Sequence, residues 1–375
     1  MSILFSPLTL RGLTLRNRIA VAPMLQAAAV EGEPTAWHHV HIGRFAIGGV
    51  GLIMMESTKV ERRGRGTIGD LGLWDDAVVP LFRPIVDFAH SHGAAIGIQL
   101  GHTGRKRSAS STVPDEAVAP SAIQHGPDKI MPRALELDEI PGVIDAFASA
   151  ARRAMEAGFD TVELHGAHGY LLHAFLSPIA NQRTDRYGGS EENRQRLMLE
   201  VAEAVRAQMP EDKPLFVRLS CEDQAGVGLE QIIPLVAKLK ALGVDVIDCS
   251  SGGLRDDMRD IPGVNADEFG YQVPYARQLR ADTGITTMAV GHIIHAQQAE
   301  AILQEGAADI IALGREMLYN PNWAIDAAQK LGEDPDFELL PVHVRGPMAS
   351  RRRRFGGTLS TYASGWTEGE AEKTA

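Results

Sequence analysis

The segment from Val162 to Tyr170 reads Val-Glu-Leu-His-Gly-Ala-His-Gly-Tyr, a short apolar run followed at once by two histidines and a tyrosine. Branched and apolar residues that run directly into polar ones are typical of a buried parallel strand ending in a loop. In α/β proteins, ligands bind at the carboxyl ends of such strands. The segment therefore predicts a parallel sheet with a functional site at its edge.

Segments of the same kind recur along the chain, separated by stretches with helical periodicity. This alternation predicts an α/β fold of repeated βα units, and eight strands each followed by a helix close most naturally into a (β/α)8 TIM barrel. A doubly wound sheet is the alternative. The predicted strands are Arg18–Pro23, Val50–Met55, Ala94–Leu100, Thr161–His165, Leu215–Ser220, Val244–Ser250, Thr286–Gly291 and Asp309–Gly314. The predicted helices are Val78–Ser91, Gly142–Ala157, Glu191–Gln208, Leu229–Ala241, Tyr271–Ala281, Ala296–Glu305 and Pro321–Leu331.

The remaining segments predict which part of the chain closes the bottom of the barrel and which loops between strands and helices are long. The tract Leu4–Thr14 is interpreted as an N-terminal hairpin that closes the bottom of the barrel. Two long βα loops, Gly101–Ile140 and Gly166–Gly189, are expected to carry function because long loops on this face usually do. The predicted organisation is a barrel over residues 1–332 and a C-terminal extension over 333–375, which is either disordered or docks on a neighbouring subunit.

Composition excludes several classes of protein. The chain has 375 residues, 44% of them hydrophobic, which is enough to bury a large core. Its formal net charge of −11 argues against a nucleic-acid partner. No apolar stretch approaches the roughly 20 residues that span a bilayer, and the N-terminus lacks the apolar region of a signal peptide, so a cytoplasmic protein without a membrane partner is predicted. Cys221 and Cys249 are the only cysteines, too few for a disulfide framework or an iron–sulfur cluster.

Two polar residues lie in otherwise apolar strands. Gln99 comes near the end of the third predicted strand, where its amide offers both a donor and an acceptor to the edge of a heterocycle. Arg218 alternates with apolar neighbours in the fifth strand, so it is expected to point into the barrel toward an anionic partner. That partner is either a ligand or an internal carboxylate, with Glu163 and Asp248 as the alternatives.

Glycines follow the last three predicted strands. Gly252, Gly291 and Gly314 lie at these strand ends, and Arg315 follows immediately after the last one. Loops after the seventh and eighth strands form the common phosphate site of TIM barrels, and an arginine can bind a phosphate through two hydrogen bonds. These four residues therefore predict a phosphate-binding site.

His165 and His168 allow three interpretations. A histidine pair with this spacing can bind zinc, but no third ligand segment is present, so no metal is predicted. A purely structural role inside the barrel is the second possibility. In the third, both imidazoles donate hydrogen bonds to a substrate oxygen while Tyr170 acts as a general acid.

Longer motifs in these strands and loops resemble the old yellow enzyme family. The similarity extends from Leu4 to Leu331, in register with the eight predicted strands. The motifs are Asn17-Arg18-Ile19, Ala22-Pro23-Met24, the run from Gln99 to Lys106, the run from His165 to Tyr170, Phe175-Leu176-Ser177-Pro178 and Tyr187-Gly188-Gly189-Ser190.

The resemblance implies an FMN-dependent ene-reductase that takes hydride from NAD(P)H. In such enzymes the flavin N5 passes the hydride, in a ping-pong cycle, to an activated alkene such as an enone, enal, maleimide or nitroalkene. By the same resemblance, His165 and His168 bind the substrate oxygen and Tyr170 donates the proton. The residues implied to bind the cofactor are Gln99 and Arg218 at the flavin ring, Ala22, Pro23, Met24, Leu25 and Ser57 along it, and Gly252, Gly291, Gly314 and Arg315 at the phosphate.

The chain also departs from the family pattern. Relatives with similar loops have a cysteine and a tyrosine where this chain has Leu25 and Ala27, which predicts a flavin that is harder to reduce and a more apolar substrate pocket. Arg345 is expected to reach the substrate site of a neighbouring subunit in a homodimer or homotetramer. The cluster Arg351–Arg354 is interpreted as a solvated tail, with an anion clamp as the alternative.

Two other functions remain open at this point. One is a flavin-dependent dehydrogenase or demethylase of the same superfamily, which commonly needs an additional domain and a cysteine-bound cluster. The other is a noncatalytic flavin-binding barrel, with Leu25 and Ala27 as signs of lost activity.

Overall fold

The computed structural model describes residues 2–254 and 268–355, and the rest of the C-terminal extension lies outside this range. The strands are β1 Leu8–Leu10, β2 Leu13–Leu15, β3 Ile19–Val21, β4 Leu52–Lys59, β5 Ala95–Gly101, β6 Val118–Ala119, β7 Arg133–Ala134, β8 Thr161–Gly166, β9 Leu215–Ser220, β10 Val246–Ser250, β11 Thr286–Ala289 and β12 Ile310–Leu313. The helices are α1 Ala36–Ile47, α2 Val79–Ser91, α3 Ile140–Ala157, α4 Leu171–Leu176, α5 Glu191–Gln208, α6 Leu229–Ala241, α7 Val273–Thr283, α8 Ala296–Gln304, α9 Arg315–Tyr319, α10 Trp323–Leu331 and α11 Val342–Phe355.

Eight parallel strands form a closed barrel in the order β3, β4, β5, β8, β9, β10, β11 and β12. The circle closes where β12 pairs with β3, with Ile311 opposite Ile19 and Leu313 opposite Val21. Closure excludes the doubly wound alternative, which leaves two open sheet edges. The predicted TIM barrel is therefore confirmed.

Side chains alternate between two environments along each barrel strand. On β8, Val162 and Leu164 join the apolar layer between the strands and the outer helices. Because successive residues of a strand point to opposite faces, Glu163 and His165 point into the barrel. The same alternation places Arg218 of β9 inside, so the polar residues that stand out in the sequence share one interior.

The hairpin formed by β1 and β2 closes the bottom of the barrel. Its buried residues Leu10 and Leu15 pack against Phe216, Met288 and Ile310 in the interior apolar cluster. This confirms the predicted hairpin. It also fills the amino-terminal end of the barrel with apolar side chains, which leaves the carboxyl ends of the strands for a ligand.

The helix after the first barrel strand is absent from the sequence-based prediction. In α1, the polar residues His38 and His41 are buried while Trp37 and Val40 are 51% and 67% exposed. Because these histidines share the buried face with Ile42, Phe45 and Ala46, the contrast between the apolar and polar faces of an amphipathic helix is weak here. The short helices α4 and α9 and the helix α11 are likewise not predicted.

The C-terminal extension begins with packed structure. Phe337 is buried, and Leu339 lies beside Gly49 at the amino end of β4, before α11 begins. The boundary drawn at residue 332 stays a prediction. Within residues 2–254 and 268–355, no helix combines the length and the hydropathy needed to cross a membrane.

Candidate active site

A cavity of about 500 Å³ opens at the carboxyl ends of the last four barrel strands. It is lined by residues from β9, β10 and the segments after β11 and β12, among them Arg218, Ser250, Gly291, Gly314 and Arg315. His168 reaches the same cavity from the loop after β8. The structure thus brings together residues that are as far apart in the chain as His168 and Glu316.

The two histidines and the tyrosine form a cluster beside this cavity. The ring centroids of His165 and Tyr170 are 4.7 Å apart, and those of His165 and His168 are 5.3 Å apart. Both pairs meet edge to face. His165 is held at the end of β8, while His168 and Tyr170 follow in the loop, so one short segment delivers all three rings.

Both imidazoles are held neutral. Burial lowers the pKa of His165 well below its usual value, and the positive charge of neighbours such as Arg218 acts in the same direction. Burial and Arg218 lower the pKa of His168 in the same way. His165 Nδ1 accepts a hydrogen bond of 3.3 Å from the Ala167 amide, so its proton is on Nε2. His165 can therefore act as a neutral hydrogen-bond donor.

His168 is fixed by its backbone as well as its ring. It adopts a φ of +59°, which is rare for a residue with a side chain. Its amide donates to Ser220 Oγ at 3.0 Å, and its carbonyl accepts from Lys106 Nζ at 2.9 Å. Its Nε2 lies 2.6 Å from Ser250 Oγ. These contacts hold the unusual backbone and aim the imidazole at the cavity.

A layer of polar side chains crosses the barrel beneath the cavity. Gln99 Nε2 donates to Glu163 Oε1 at 2.7 Å, and Arg218 Nε lies 3.3 Å from Asp248 Oδ2. Burial, together with the charge of Asp248, raises the pKa of Glu163 to about 8. Arg218 thus has both of the predicted features, an internal carboxylate partner and a position on the cavity wall.

The predicted phosphate residues are mostly at the cavity. Gly291 has a φ of +114°, and Gly314 follows β12. Arg315 Nη2 lies 2.7 Å from His292 Nε2 at the rim. Gly252 instead donates its amide to the Glu222 carbonyl at 2.7 Å in the loop after β10.

The residues after β3 follow a strand that pairs with β12, and Met24 lies next to Gly314. Ala22 is buried and its amide bonds to the Leu313 carbonyl at 2.9 Å. Pro23 and Met24 are half-buried, whereas Leu25 is 49% exposed. Ala27 is also exposed, with a φ of +52°. The segment predicted to line the cofactor is therefore buried at Ala22 and exposed at Leu25.

Ser57 lies at a bulge near the end of β4. The register between β4 and β5 shifts between Met55 and Thr58, a device that re-aims side chains beside active sites. Ser57 is half-buried and accepts a hydrogen bond of 3.0 Å from Lys59 Nζ. Lys59 is not among the predicted site residues, although a lysine two residues after Ser57 on the same strand is a usable signal.

Other residues of the site are also missing from the sequence-based prediction. Lys106 Nζ bridges the carbonyls of His168 and Gly253 and lies 5.3 Å from the centroid of the Tyr170 ring. Tyr271 and Gln272 line the cavity just before α7, where the sequence shows only a helical pattern. Nothing in their spacing marks them, because the fold alone brings them to the mouth.

Arg345 does not join this cluster within its own chain. Its side chain donates to the carbonyls of Leu340 and Glu338, each at 2.7 Å, in the C-terminal extension. Its reach into a neighbouring subunit stays a prediction. Over residues 2–254 and 268–355, no group of three or more histidine, cysteine, aspartate and glutamate side chains is placed to hold a metal ion.

Comparison with known proteins identifies close relatives over most of the chain. Residues 3–334 match the model of the NADH:flavin oxidoreductase / NADH oxidase family. An NADPH dehydrogenase of Geobacillus thermodenitrificans is 45% identical over 335 residues, which cover 88% of this chain and 95% of that protein. An NADPH dehydrogenase of Listeria welshimeri is 45% identical over 337 residues, with 89% and 96% covered.

Solved structures show the same relationship. Morphinone reductase in complex with tetrahydroNAD superposes with a TM-score of 0.75 at 30% identity, covering 88% of this chain and 91% of that one. The old yellow enzyme homologue from Zymomonas mobilis superposes with a TM-score of 0.74 at 31% identity, covering 87% and 92%.

The mouth of the barrel fits an FMN molecule. Arg218 Nε and Glu163 Oε2 are buried without a hydrogen-bond partner among the described residues, which leaves polar groups for a ring with donors and acceptors. A Cβ placed on Gly314 would have Met24 Sδ, 3.7 Å away, as its nearest heavy atom, so the strand end leaves open space beside Arg315.

Sequence, fold and site agree with one assignment. The family model matches most of the chain, two NADPH dehydrogenases are 45% identical to it, and the barrel mouth has the open space and polar groups that a flavin needs. The chain belongs to the NADH:flavin oxidoreductase / NADH oxidase family, that is, to the old yellow enzyme family, and is an oxidoreductase that uses FMN with NAD(P)H as the electron donor.

Proposed function

We propose that this oxidoreductase reduces the C=C bond of activated alkenes such as enones, enals, maleimides and nitroalkenes. The observation that carries the proposal is the cluster of His165, His168 and Tyr170 beside the cavity, with both imidazoles neutral. Two neutral hydrogen-bond donors and one phenolic acid are the groups that this reaction needs from the protein. The physiological donor is either NADH or NADPH.

The two imidazoles would bind the electron-withdrawing oxygen of the substrate. Adding hydride to such an alkene builds negative charge on that oxygen, and donors placed in advance stabilise it. His165 carries its proton on Nε2, as its contact with the Ala167 amide requires. A substrate oxygen would replace Ser250 Oγ as the partner of His168 Nε2.

Tyr170 would donate the proton that completes the reduction. Burial raises the pKa of its phenol, and the charge of Asp70 raises it further, so the proton is in place at neutral pH. Lys106 and Lys59 lie 5.3 and 6.0 Å from the ring centroid. Their positive charge would stabilise the phenolate that proton transfer leaves behind.

FMN, when bound, supplies the hydride-transfer chemistry. Gln99 and Arg218 would hold its ring, and Ala22, Pro23, Met24, Leu25 and Ser57 would line it. Gly291, Gly314 and Arg315 would hold the phosphate, while Gly252, whose amide bonds to the Glu222 carbonyl, would give it no amide donor. Arg218 would also favour the reduced ring, because its fixed positive charge offsets the negative charge that reduction adds.

Two further residues are proposed to contact the substrate. Ala27 is exposed near the mouth, where a small side chain leaves room for an apolar substrate. Arg345 would reach the substrate site of a neighbouring subunit in a homodimer or homotetramer.

The Tyr170→Phe variant tests the proposal through its two half-reactions. Flavin reduction by NAD(P)H should be unchanged, because no proton from Tyr170 enters it. Reoxidation by cyclohexenone should slow by roughly 10²–10⁴-fold, the usual contribution of a positioned acid. Stopped-flow absorbance of the flavin measures both rates.

The matched control is Tyr319→Phe, since Tyr319 is 77% exposed at the end of α9 and does not line the cavity. It should leave both half-reactions at parent rates. Equal slowing of both half-reactions by Tyr170→Phe would mean that the proton comes from another group. A reduced protein that no activated alkene reoxidises would contradict the proposed reaction itself.

A further inference from the structure

We propose that Lys59 acts through Ser57 to raise the reduction potential of the bound FMN. In this role the Lys59–Ser57 pair supplies the polar contact that Leu25 cannot make. The inference rests on the flavin placement proposed above, with Ser57 beside the ring, and it does not depend on which substrate reoxidises the flavin.

Lys59 is buried at the last position of β4, where it is only 3% exposed. Lysine is almost never buried to this degree unless its charge is paired. Its Nζ donates to Ser57 Oγ at 3.0 Å, whereas the nearest carboxylate oxygen, Oδ2 of Asp70, is 3.6 Å away. The direct hydrogen bond of the ammonium therefore goes to the serine.

Asp70 holds the ammonium in this position. Its carboxylate accepts hydrogen bonds of 2.8 Å from the Gly66 amide and from Thr67 Oγ1, so the loop itself fixes the anion. Burial lowers the pKa of Lys59, and the charges of Asp70 and Glu56 oppose that change. A structural ion pair alone would not require the closer contact with Ser57.

The contact leaves the Ser57 hydroxyl with a hydrogen to donate. Because Oγ accepts from a cation, the O–H becomes a stronger donor than a serine hydroxyl in water. In the part of the chain that the structure describes, no acceptor is bonded to it. A Cβ at Gly101 would lie 2.5 Å from Ser57 Oγ and 3.5 Å from His165 Cβ, which places the hydroxyl beside the catalytic cluster.

The consequence is electrostatic. Reduction of the flavin adds negative charge to the ring, and a donor strengthened by a buried cation stabilises the reduced form more than the oxidised form. Removing either member of the pair should therefore make the flavin harder to reduce. Because Lys59 acts only through Ser57, removing both side chains should lower the reduction potential no further than removing one.

The test is the two-electron midpoint potential of the FMN-loaded protein, measured by spectroelectrochemistry for Lys59→Met, Ser57→Ala and the double variant. Each single variant should lower the equilibrium constant for reduction by about tenfold, which corresponds to a potential about 30 mV more negative. The double variant should match the larger single effect. Lys238→Met, which removes an exposed lysine of α6, should leave the potential at the parent value.

Lys59→Met leaves the buried Asp70 without its ion-pair partner, so that variant can fail to fold. Lys59→Met combined with Asp70→Asn removes the ammonium without leaving an unpaired charge, and it should show the same fall in potential. Stoichiometric flavin absorbance shows that a variant is folded and loaded before its potential is measured.

Two results would overturn the inference in different ways. If Ser57→Ala lowers the potential while Lys59→Met/Asp70→Asn leaves it at the parent value, the flavin lies beside Ser57 but Lys59 does not tune it. If neither variant changes the potential or the flavin spectrum, the placement of the ring beside Ser57 is wrong. Neither measurement uses an alkene, so failure of the proposed ene-reduction would be detected separately.

Discussion

Burial lowers the pKa of His165 and His168 at the mouth and of His41 in α1, but the consequence differs with the surroundings of each ring. His165 and His168 face the mouth, where neutrality leaves each ring able to donate one hydrogen bond. His41 faces the outer core of α1, where burial, the charge of Arg44 and the charge of His38 lower its pKa to about 4. Burial thus supports the chemistry of the two histidines at the mouth. At His41 in α1, it makes the stability of the fold depend on pH.

His41 predicts how the stability of the fold changes with pH. Its pKa is about 4 in the folded protein and 6.5 in the unfolded chain, so the unfolded chain binds more protons between these values. The free energy of unfolding should therefore fall as the pH drops from 6.5 toward 4, by up to about 1.4 kcal/mol per pH unit from this group. His41→Gln should remove that part of the slope in urea unfolding at pH 7, 6 and 5. A variant slope equal to the parent slope would assign the effect to other groups.

Leu25 gives a second prediction about a single residue. The residue is 49% exposed at the open mouth and offers no polar contact to a flavin. Leu25→Cys should raise the midpoint potential of the bound FMN, because a thiol there can hydrogen-bond the ring. Spectroelectrochemistry measures the change. A variant potential at or below the parent value would contradict the inference drawn from this position.

Among the secondary-structure elements, those at the two ends of the barrel have different roles. The hairpin of β1 and β2 fills the bottom with apolar side chains, while the strand ends and the loop after β8 carry the reactive groups. Stability and chemistry are therefore held by different residues, as is typical of TIM barrels. A change in the hairpin should therefore lower the stability of the fold without changing the chemistry at the mouth.

Leu15→Ala tests this separation. Leu15 is 1% exposed in the interior cluster, so its truncation should lower the free energy of unfolding by about 2–5 kcal/mol. The flavin spectrum and potential should stay as in the parent, since the cavity is at the other end. Leu13→Ala on the same strand is the matched control, because Leu13 is only half-buried and should cost less. Chemical denaturation with flavin absorbance follows both properties, and a shifted flavin spectrum in Leu15→Ala would show that the ends are coupled.

For the molecule as a whole, the described part of the C-terminal extension, residues 333–355, adds no strand to the barrel. A groove between α10 and the extension is lined by Ile325, Phe337, Leu340, Val344 and Met348, away from the mouth. Within its own chain Arg345 bonds backbone carbonyls of the extension. A contribution of Arg345 to catalysis would therefore require the site of a neighbouring subunit.

Truncation after Gly346 separates the two proposed roles of the extension. It removes the Arg351–Arg354 cluster but keeps Arg345, so turnover should be unchanged if the cluster is a solvated tail. Arg345→Ala in the full chain should raise KM for the alkene, because it removes a charge that we propose lies in the neighbour's site. Steady-state kinetics with both substrates measures these outcomes. A raised KM in the truncated protein would assign the cluster a role as an anion clamp.

Much of the fold is predictable because it depends on local patterns. Continuous apolar runs mark strands buried on both faces, and eight of them between helical patterns predict a barrel. Helix α1 is harder to predict in this way, since two of its buried positions are taken by His38 and His41, which contact Glu56 and Arg44 in the folded chain. Helix α11 begins beyond the βα repeat, where no periodic apolar pattern guides the prediction.

Local sequence patterns are sufficient to predict the barrel, the loop that carries His165, His168 and Tyr170, and the family to which these motifs belong. Folding is what brings Lys59 to Ser57 and Asp70, and it links His168 through Ser250 to Gln272 at the mouth. The reason is physical. Strand patterns are encoded by neighbours in sequence, whereas burial, protonation and hydrogen bonding depend on groups that only the closed barrel brings together.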